Sequence, residues 1–206
     1  VRVVVATNNA GKLEELRALL PAGIELLTLA EAGLPSPDET GVTFEENALI
    51  KARAAVGAGD ASIADDSGLV VDALDGRPGV WSSRFAGDDA NDDDNNALLL
   101  HELRDVPDEK RTARFVSVVA LVTRDGRSFV ATGQVEGRIG HEPRGTGGFG
   151  YDPLMIVEDA DAVEFSGRTM AELTLYEKNR ISHRARAYRA LLNTLRNEGF
   201  ELGTAT

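Results

Sequence analysis

Two β-rich runs, 114–123 and 128–139, flank the dipeptide Asp125-Gly126. Asp-Gly takes the left-handed backbone of a tight hairpin turn easily, so the runs are expected to pair antiparallel. The rest of the chain joins shorter extended runs to helical ones. A β-branched run at 1–6 stops at a polar loop, after which 12–20 carries apolar residues at helical spacing. Helices are also expected over 43–56, 92–103, 170–179 and 182–196, the first opening with Thr43 three residues before Glu46 as a capping box. On that helix Lys51 and Arg53 fall on the polar side. Residues 62–64 and 69–71 are extended, and the Asp65-Asp66 pair between them is expected to interrupt or end a strand. Gly76, Pro78 and Gly79 form a turn, 81–85 is a short strand or loop, and 154–157 is a short apolar run. The mixture gives an α/β fold containing at least one antiparallel pair.

With 206 residues, 42% of them apolar, the chain can build one substantial core and is short for two independent units, so one domain spanning 1–206 is expected. A formal charge of −12 disfavours a nucleic-acid polymer as partner, because phosphate binding along a polymer needs a positive surface. A small polyphosphate is compatible, since a few basic groups and a divalent cation reverse the field locally. Cysteine is absent, which excludes disulfides and thiolate metal sites. No apolar run approaches the roughly 20 residues that cross a bilayer, and the expected compartment is the cytoplasm.

The polar loop Thr7, Asn8, Asn9, Ala10, Gly11 and Lys12 stands between a strand and a helix, where amides, the helix dipole and one lysine can hold a phosphate; a plain helix cap explains it equally well. Asp65 and Asp66 are adjacent carboxylates after an apolar stretch. Side chains alternate along a strand, so at most one is expected to face a given site, as metal ligand or base; an Asp-rich turn is the competing reading. Asp38 and Glu39 offer oxygen ligands suited to a hard cation such as magnesium, although loop acids taken alone are more often solvated than ligating. The acids and amides over 88–96 lack the alternation of a calcium loop and read as a solvated helix start. The glycine-rich stretch 145–150 has no Walker lysine, and Phe149 and Tyr151 suit stacking on a base, or packing in the core. Lys178, Arg180, His183, Arg184 and Arg186 form the best basic patch of an acidic chain; a helix face balanced against Glu172 and Glu177, with a structural His183, is the competing reading. No nucleophile triad or serine elbow is present, which leaves metal-assisted phosphoryl chemistry as the best fit.

Five blocks, in order from residue 3 to about residue 190, carry a resemblance: VVVATNNAGKLEEL, ETGVTFEENALIKARAA, ADDSGLVVDALDGRPGVWSSRFAG, GTGGFGYDPL and AELTLYEKNRISHRARA. Together they resemble the inosine triphosphate pyrophosphatase family. The resemblance implies a two-lobed α/β domain with a long mixed central sheet flanked by helices and an active site in the cleft between lobes. It implies a magnesium-dependent homodimer that cleaves inosine, deoxyinosine and xanthosine triphosphates (ITP, dITP, XTP) between the α and β phosphates. The triphosphate loop then falls on Thr7 to Lys12, with Asn8 where many relatives carry glycine, and Asp66 falls on the proton acceptor. Glu39 and Asp66 match metal positions. Ser67, Phe149, Gly150, Tyr151, Asp152, Lys178, His183 and Arg184 match substrate positions. Arg184, a donor only, is expected to favour the C6 carbonyl of these bases over the amino group of adenosine.

Overall fold

The computed structural model describes residues 1–7, 12–13, 16–17 and 23–200. Its strands are β1 (Arg2–Val5), β2 (Glu25–Thr28), β3 (Ala61–Val71), β4 (Thr112–Thr123), β5 (Ser128–Ile139) and β6 (Met155–Val157). They form one open six-stranded sheet in the order β2-β1-β3-β4-β5-β6. The sheet is mixed, because β1 runs parallel to β2 and β3 whereas β6 is antiparallel to β5. The helices are α1 (Phe44–Ala55), α2 (Asp92–Glu102), α3 (Leu175–Ile181) and α4 (His183–Asn197). No described helix is long and apolar enough to cross a membrane.

The hairpin forms as expected. Thr123 N–H donates to the Arg127 carbonyl at 2.9 Å, Gly126 takes φ +90°, and so short a link between neighbouring strands admits only the antiparallel direction. The α1 capping box also forms: Thr43 Oγ1 accepts from Glu46 N–H at 3.1 Å while Glu46 Oε2 accepts from Thr43 N–H at 3.2 Å. Of the helix expected over 12–20, Lys12, Leu13, Leu16 and Arg17 have helical backbone. The remainder of it, with Asn8, Asn9, Ala10 and Gly11, lies outside the described residues.

Three expectations are corrected. β3 is not interrupted at Asp65-Asp66 but runs through both. The stretch after Pro78 is neither strand nor loop but a 3₁₀ helix, Gly79–Arg84. Ser82 secures it, with Oγ donating to Gly79 C=O at 2.6 Å and accepting from Leu69 N–H at 2.9 Å. The helix expected over 170–179 is a 3₁₀ turn, Met170–Glu172, followed by α3. The cause is a repeated Thr-x-x-Glu signal: Thr169 and Glu172 box the first turn, and Thr174 and Glu177 start a new helix after an extended Leu173.

The chain divides into two compact units, one made of Val1–Asp66, Ser117–Gly133 and Arg184–Thr206, the other of Ser67–Val116 and Gln134–His183. In the first, the strands alternate sharply. Val3, Val5, Ile63, Val119 and Leu121 pack with Leu16 and with Tyr188, Leu191 and Leu195 of α4. Val4, Ala64, Val118, Ala120 and Val122 pack with Ala48, Ala52 and Ala55 of α1, whose small side chains let the helix lie close to the strands. The second unit has its own core, in which Leu69 and Val71 of β3 meet Leu99 of α2, Phe115, Val135, Leu154 and Met170. Arg111 is fully buried beside it, donating to the carbonyls of Leu103, Ile139 and Gly140 at 2.6 to 2.8 Å.

Candidate active site

Because β3 continues through the acidic pair, its alternation decides what each carboxylate meets. Asp65 shares the face of Ile63, which is the face of α4 and Leu16. Its Oδ2 lies 2.8 Å from Lys12 Nζ and 3.3 Å from Arg184 Nε, near the start of α4. Asp66 shares the face of Ala64, which is the face of α1. Its Oδ1 lies 2.9 Å from Lys51 Nζ, and its Oδ2 accepts from Asn47 Nδ2 at 3.3 Å. Lys51 Nζ also reaches Glu39 Oε1 at 3.0 Å. One strand therefore serves two charged clusters with two adjacent residues, both buried.

The clusters differ electrostatically. Burial alone would raise the pKa of Asp65, but the cations of Lys12, Arg184 and Lys51 outweigh it and hold this carboxyl far below the usual range. It is a fixed anion that orients two cations. Asp66 moves the other way: burial raises it, the Lys51 charge and hydrogen bond oppose this, and the charge of Glu39 adds to the rise. Asp66 is thus the more basic of the pair. Lys12 is lowered, chiefly by burial, against the attraction of Asp65 and with the help of Arg184 and Lys51. Burial also works against the charge of Lys51, but Asp66, Asp65 and Glu39 prevail and raise it.

Lys51 and Asn47 escaped the sequence reading, in which Lys51 lay on the polar side of its helix. That expectation is wrong. Asn47, Ala48, Lys51, Ala52 and Ala55 form one buried stripe at helical spacing, and reading its alanines as core contacts would have put Asn47 and Lys51 beside them. Glu39 is brought to the site through Lys51, whereas Asp38 is exposed. Among the described residues no group of three or more acids or histidines is arranged to hold a metal. Glu39 and Asp66 nevertheless converge on one point, that of Lys51 Nζ, and oxygen ligands of this kind suit a hard divalent cation.

The second unit holds a separate group. Asp152 Oδ2 accepts from Phe149 N–H at 2.9 Å and from Lys178 Nζ at 2.8 Å, and Lys178 Nζ stands 4.9 Å from the centroid of the Phe149 ring. Gly148 has φ +72°, and a Cβ there would collide with the Asp152 carboxylate, so only glycine admits this turn. Tyr151 departs from the stacking role: its ring is in the core and its hydroxyl donates to Ser82 C=O at 2.8 Å, with burial pushing the phenol pKa upward. His183 stacks on Phe115 with centroids 4.9 Å apart. Of the five residues of the basic patch, Lys178, His183 and Arg184 are buried, whereas Arg180 is exposed and Arg186 half-buried. The run 88–96 is also not merely solvated, since Asn95 and Asn96 are buried.

Fold and site together define an α/β protein with two carboxylate–lysine clusters on opposite faces of one strand. The chain belongs to the Ham1 family, which matches residues 3–194. It is 52% identical to the dITP/XTP pyrophosphatase of Corynebacterium efficiens over 198 residues, 93% of this chain and 96% of that one. Among solved structures, the Ham1 protein of Staphylococcus aureus superposes with a TM-score of 0.83 at 38% identity, covering 96% of this chain and 100% of its own. A structure of the nucleoside-triphosphatase / dITP/XTP pyrophosphatase of Mycobacterium abscessus has a TM-score of 0.73 at 47% identity, with 93% and 99% covered.

Proposed function

We propose that this chain, as one domain, hydrolyses ITP, dITP and XTP to the monophosphate and pyrophosphate, clearing non-standard purines from the nucleotide pool. The observation that carries the reading is the division of labour on β3. Asp65 fixes Lys12 and Arg184, and Asp66 stands apart as a more basic carboxylate beside Glu39 and Lys51. Thr7 and Lys12 hold the triphosphate together with residues 8–11, and Lys12 neutralises charge that grows on the leaving pyrophosphate. Asp66 orients the attacking water and accepts its proton. Glu39 and Asp66 hold magnesium, which when bound neutralises phosphate charge as a Lewis acid. Phe149 stacks on the purine, with Ser67, Gly150, Tyr151, Asp152, Lys178 and His183 completing the substrate contacts, Tyr151 through its backbone and packing.

Pyrophosphate release across a nucleotide panel tests this directly. Release is expected from ITP, dITP and XTP, to be abolished by chelation, and to return with magnesium. Absence of release from all three would overturn the proposal. Arg184 assigns the base by donating to the C6 oxygen, so Arg184→Ala is expected to lower kcat/KM for ITP at least about tenfold more than for adenosine triphosphate. Equal losses on the two would remove the assignment. We further propose a homodimer in the cytoplasm; sedimentation is expected to report twice the 22.0 kDa chain mass, and a species of single mass at micromolar concentration would refute the dimer.

A further inference from the structure

The two polar groups of Gly150, its N–H and its C=O, are both taken by side chains one turn apart on α2. Gly150 N–H donates to Asp92 Oδ2 at 2.6 Å, and Asn96 Nδ2 donates to the Gly150 carbonyl at 2.9 Å. Residues at i and i+4 share one face of a helix, so a single stripe of α2 grips a single loop residue from both ends. Gly150 needs such a grip, because its φ of +62° is a conformation the chain does not hold by steric preference alone. The residue before it is Phe149, tied through its own N–H to Asp152; the residue after it is Tyr151, tied through its hydroxyl to Ser82 C=O. Between the two grips, Asn95 Oδ1 accepts from Ala86 N–H at 2.8 Å and its Nδ2 donates to Ser83 C=O at 3.2 Å, so the same turn of α2 also holds the end of the 3₁₀ helix and the residues just after it.

We propose that Asp92 and Asn96 are positioning residues for the base: they set the glycine-rich loop so that the Phe149 ring is preorganised to receive the purine. This rests on the reading of Phe149 as the stacking residue. Neither side chain need touch substrate, and their effect falls on binding rather than on the phosphate chemistry. A helix start of this composition would otherwise serve only its own dipole and cap. That role is already filled by Asn91 and Asp94, which form the capping box of α2. Asp92 is turned to the loop instead, and its bond to Gly150 is charge-assisted and short.

The test is steady-state kinetics on ITP with four variants and a control. Asp92→Ala and Asn96→Leu are each expected to raise KM about tenfold while kcat stays within about threefold. Asp92→Asn keeps an acceptor oxygen and is expected to remain within about threefold of the parent KM. Asp93→Ala removes the same charge from the same helical turn, with no bond to the loop, and is expected to leave both constants unchanged. Unchanged KM in Asp92→Ala and Asn96→Leu, or an equal rise in Asp93→Ala, would overturn the proposal. Phe149→Ala separates the two readings. A raised KM there beside unchanged values in the Asp92 and Asn96 variants sinks the positioning role alone, whereas an unchanged KM in Phe149→Ala removes the stacking reading and the positioning role with it. Should Asn96→Leu fail to fold, exposed Asp92 carries the test with its Asn rescue.

Discussion

Asp66→Asn is expected to lower kcat for pyrophosphate release from ITP by roughly 10³-fold, within the range that loss of a general base costs, while KM changes by no more than about threefold. The substitution keeps the size of the side chain and one acceptor oxygen for Lys51, so the buried contact at 2.9 Å loses its charge but not its geometry. What disappears is the proton-accepting group. The expected asymmetry with its neighbour is the sharper measurement. Asp65→Asn leaves Asp66 in place but releases Lys12 and Arg184 from the anion that orients them, so it should act mainly on KM. A kcat for Asp66→Asn within tenfold of the parent would remove this carboxylate from the chemistry. A fall in kcat equal to it in Asp65→Asn would show that the two acids act as one unit rather than in separate roles.

The acidic pair also shows where a sequence is legible and where it is not. Opposite faces for Asp65 and Asp66 follow from strand alternation alone, and that expectation holds because β3 runs straight through them. The continuity of the strand is not legible there, since local propensity disfavours aspartate in a strand, whereas the partners that make buried aspartates tolerable come from 12, 47, 51 and 184, far away in sequence. Turn and cap chemistry was read well wherever it is local: Asp125-Gly126 and Thr43-x-x-Glu46 do what their residues require. At 170–179 two capping boxes in succession break what the apolar spacing alone presents as one helix. The side chains most easily overlooked are polar ones that the fold buries against a distant partner. Lys51 and Asn96 both look solvated in a linear reading, and both are buried because a carboxylate or a carbonyl waits for them in the fold.

Lys51→Met should reveal how the site is balanced before substrate arrives. Lys51 Nζ stands between Glu39 and Asp66 at 3.0 and 2.9 Å, and its removal leaves two carboxylates facing a gap without a cation, one of them buried. Breaking a buried pair by deleting one partner costs about 3–5 kcal/mol. Because Glu39 is a third exposed, the lower end of that range applies, about 3 kcal/mol. For a chain of this size that corresponds to a fall in Tm of roughly 10 °C in chelator. The stem of methionine fills most of the volume left by lysine, so packing accounts for little of the loss. On the proposed function, magnesium would supply the missing positive charge between the same two acids. It should therefore raise the Tm of Lys51→Met by more than it raises that of the parent, where the ion must compete with an ammonium already in place. Glu39→Gln added to Lys51→Met should recover part of the lost stability in chelator and at the same time abolish the magnesium response, a non-additivity expected only if the three side chains form one cluster. Equal magnesium shifts in parent and Lys51→Met would mean that the ion binds elsewhere, and that Lys51 holds the acids together without occupying the place of the metal.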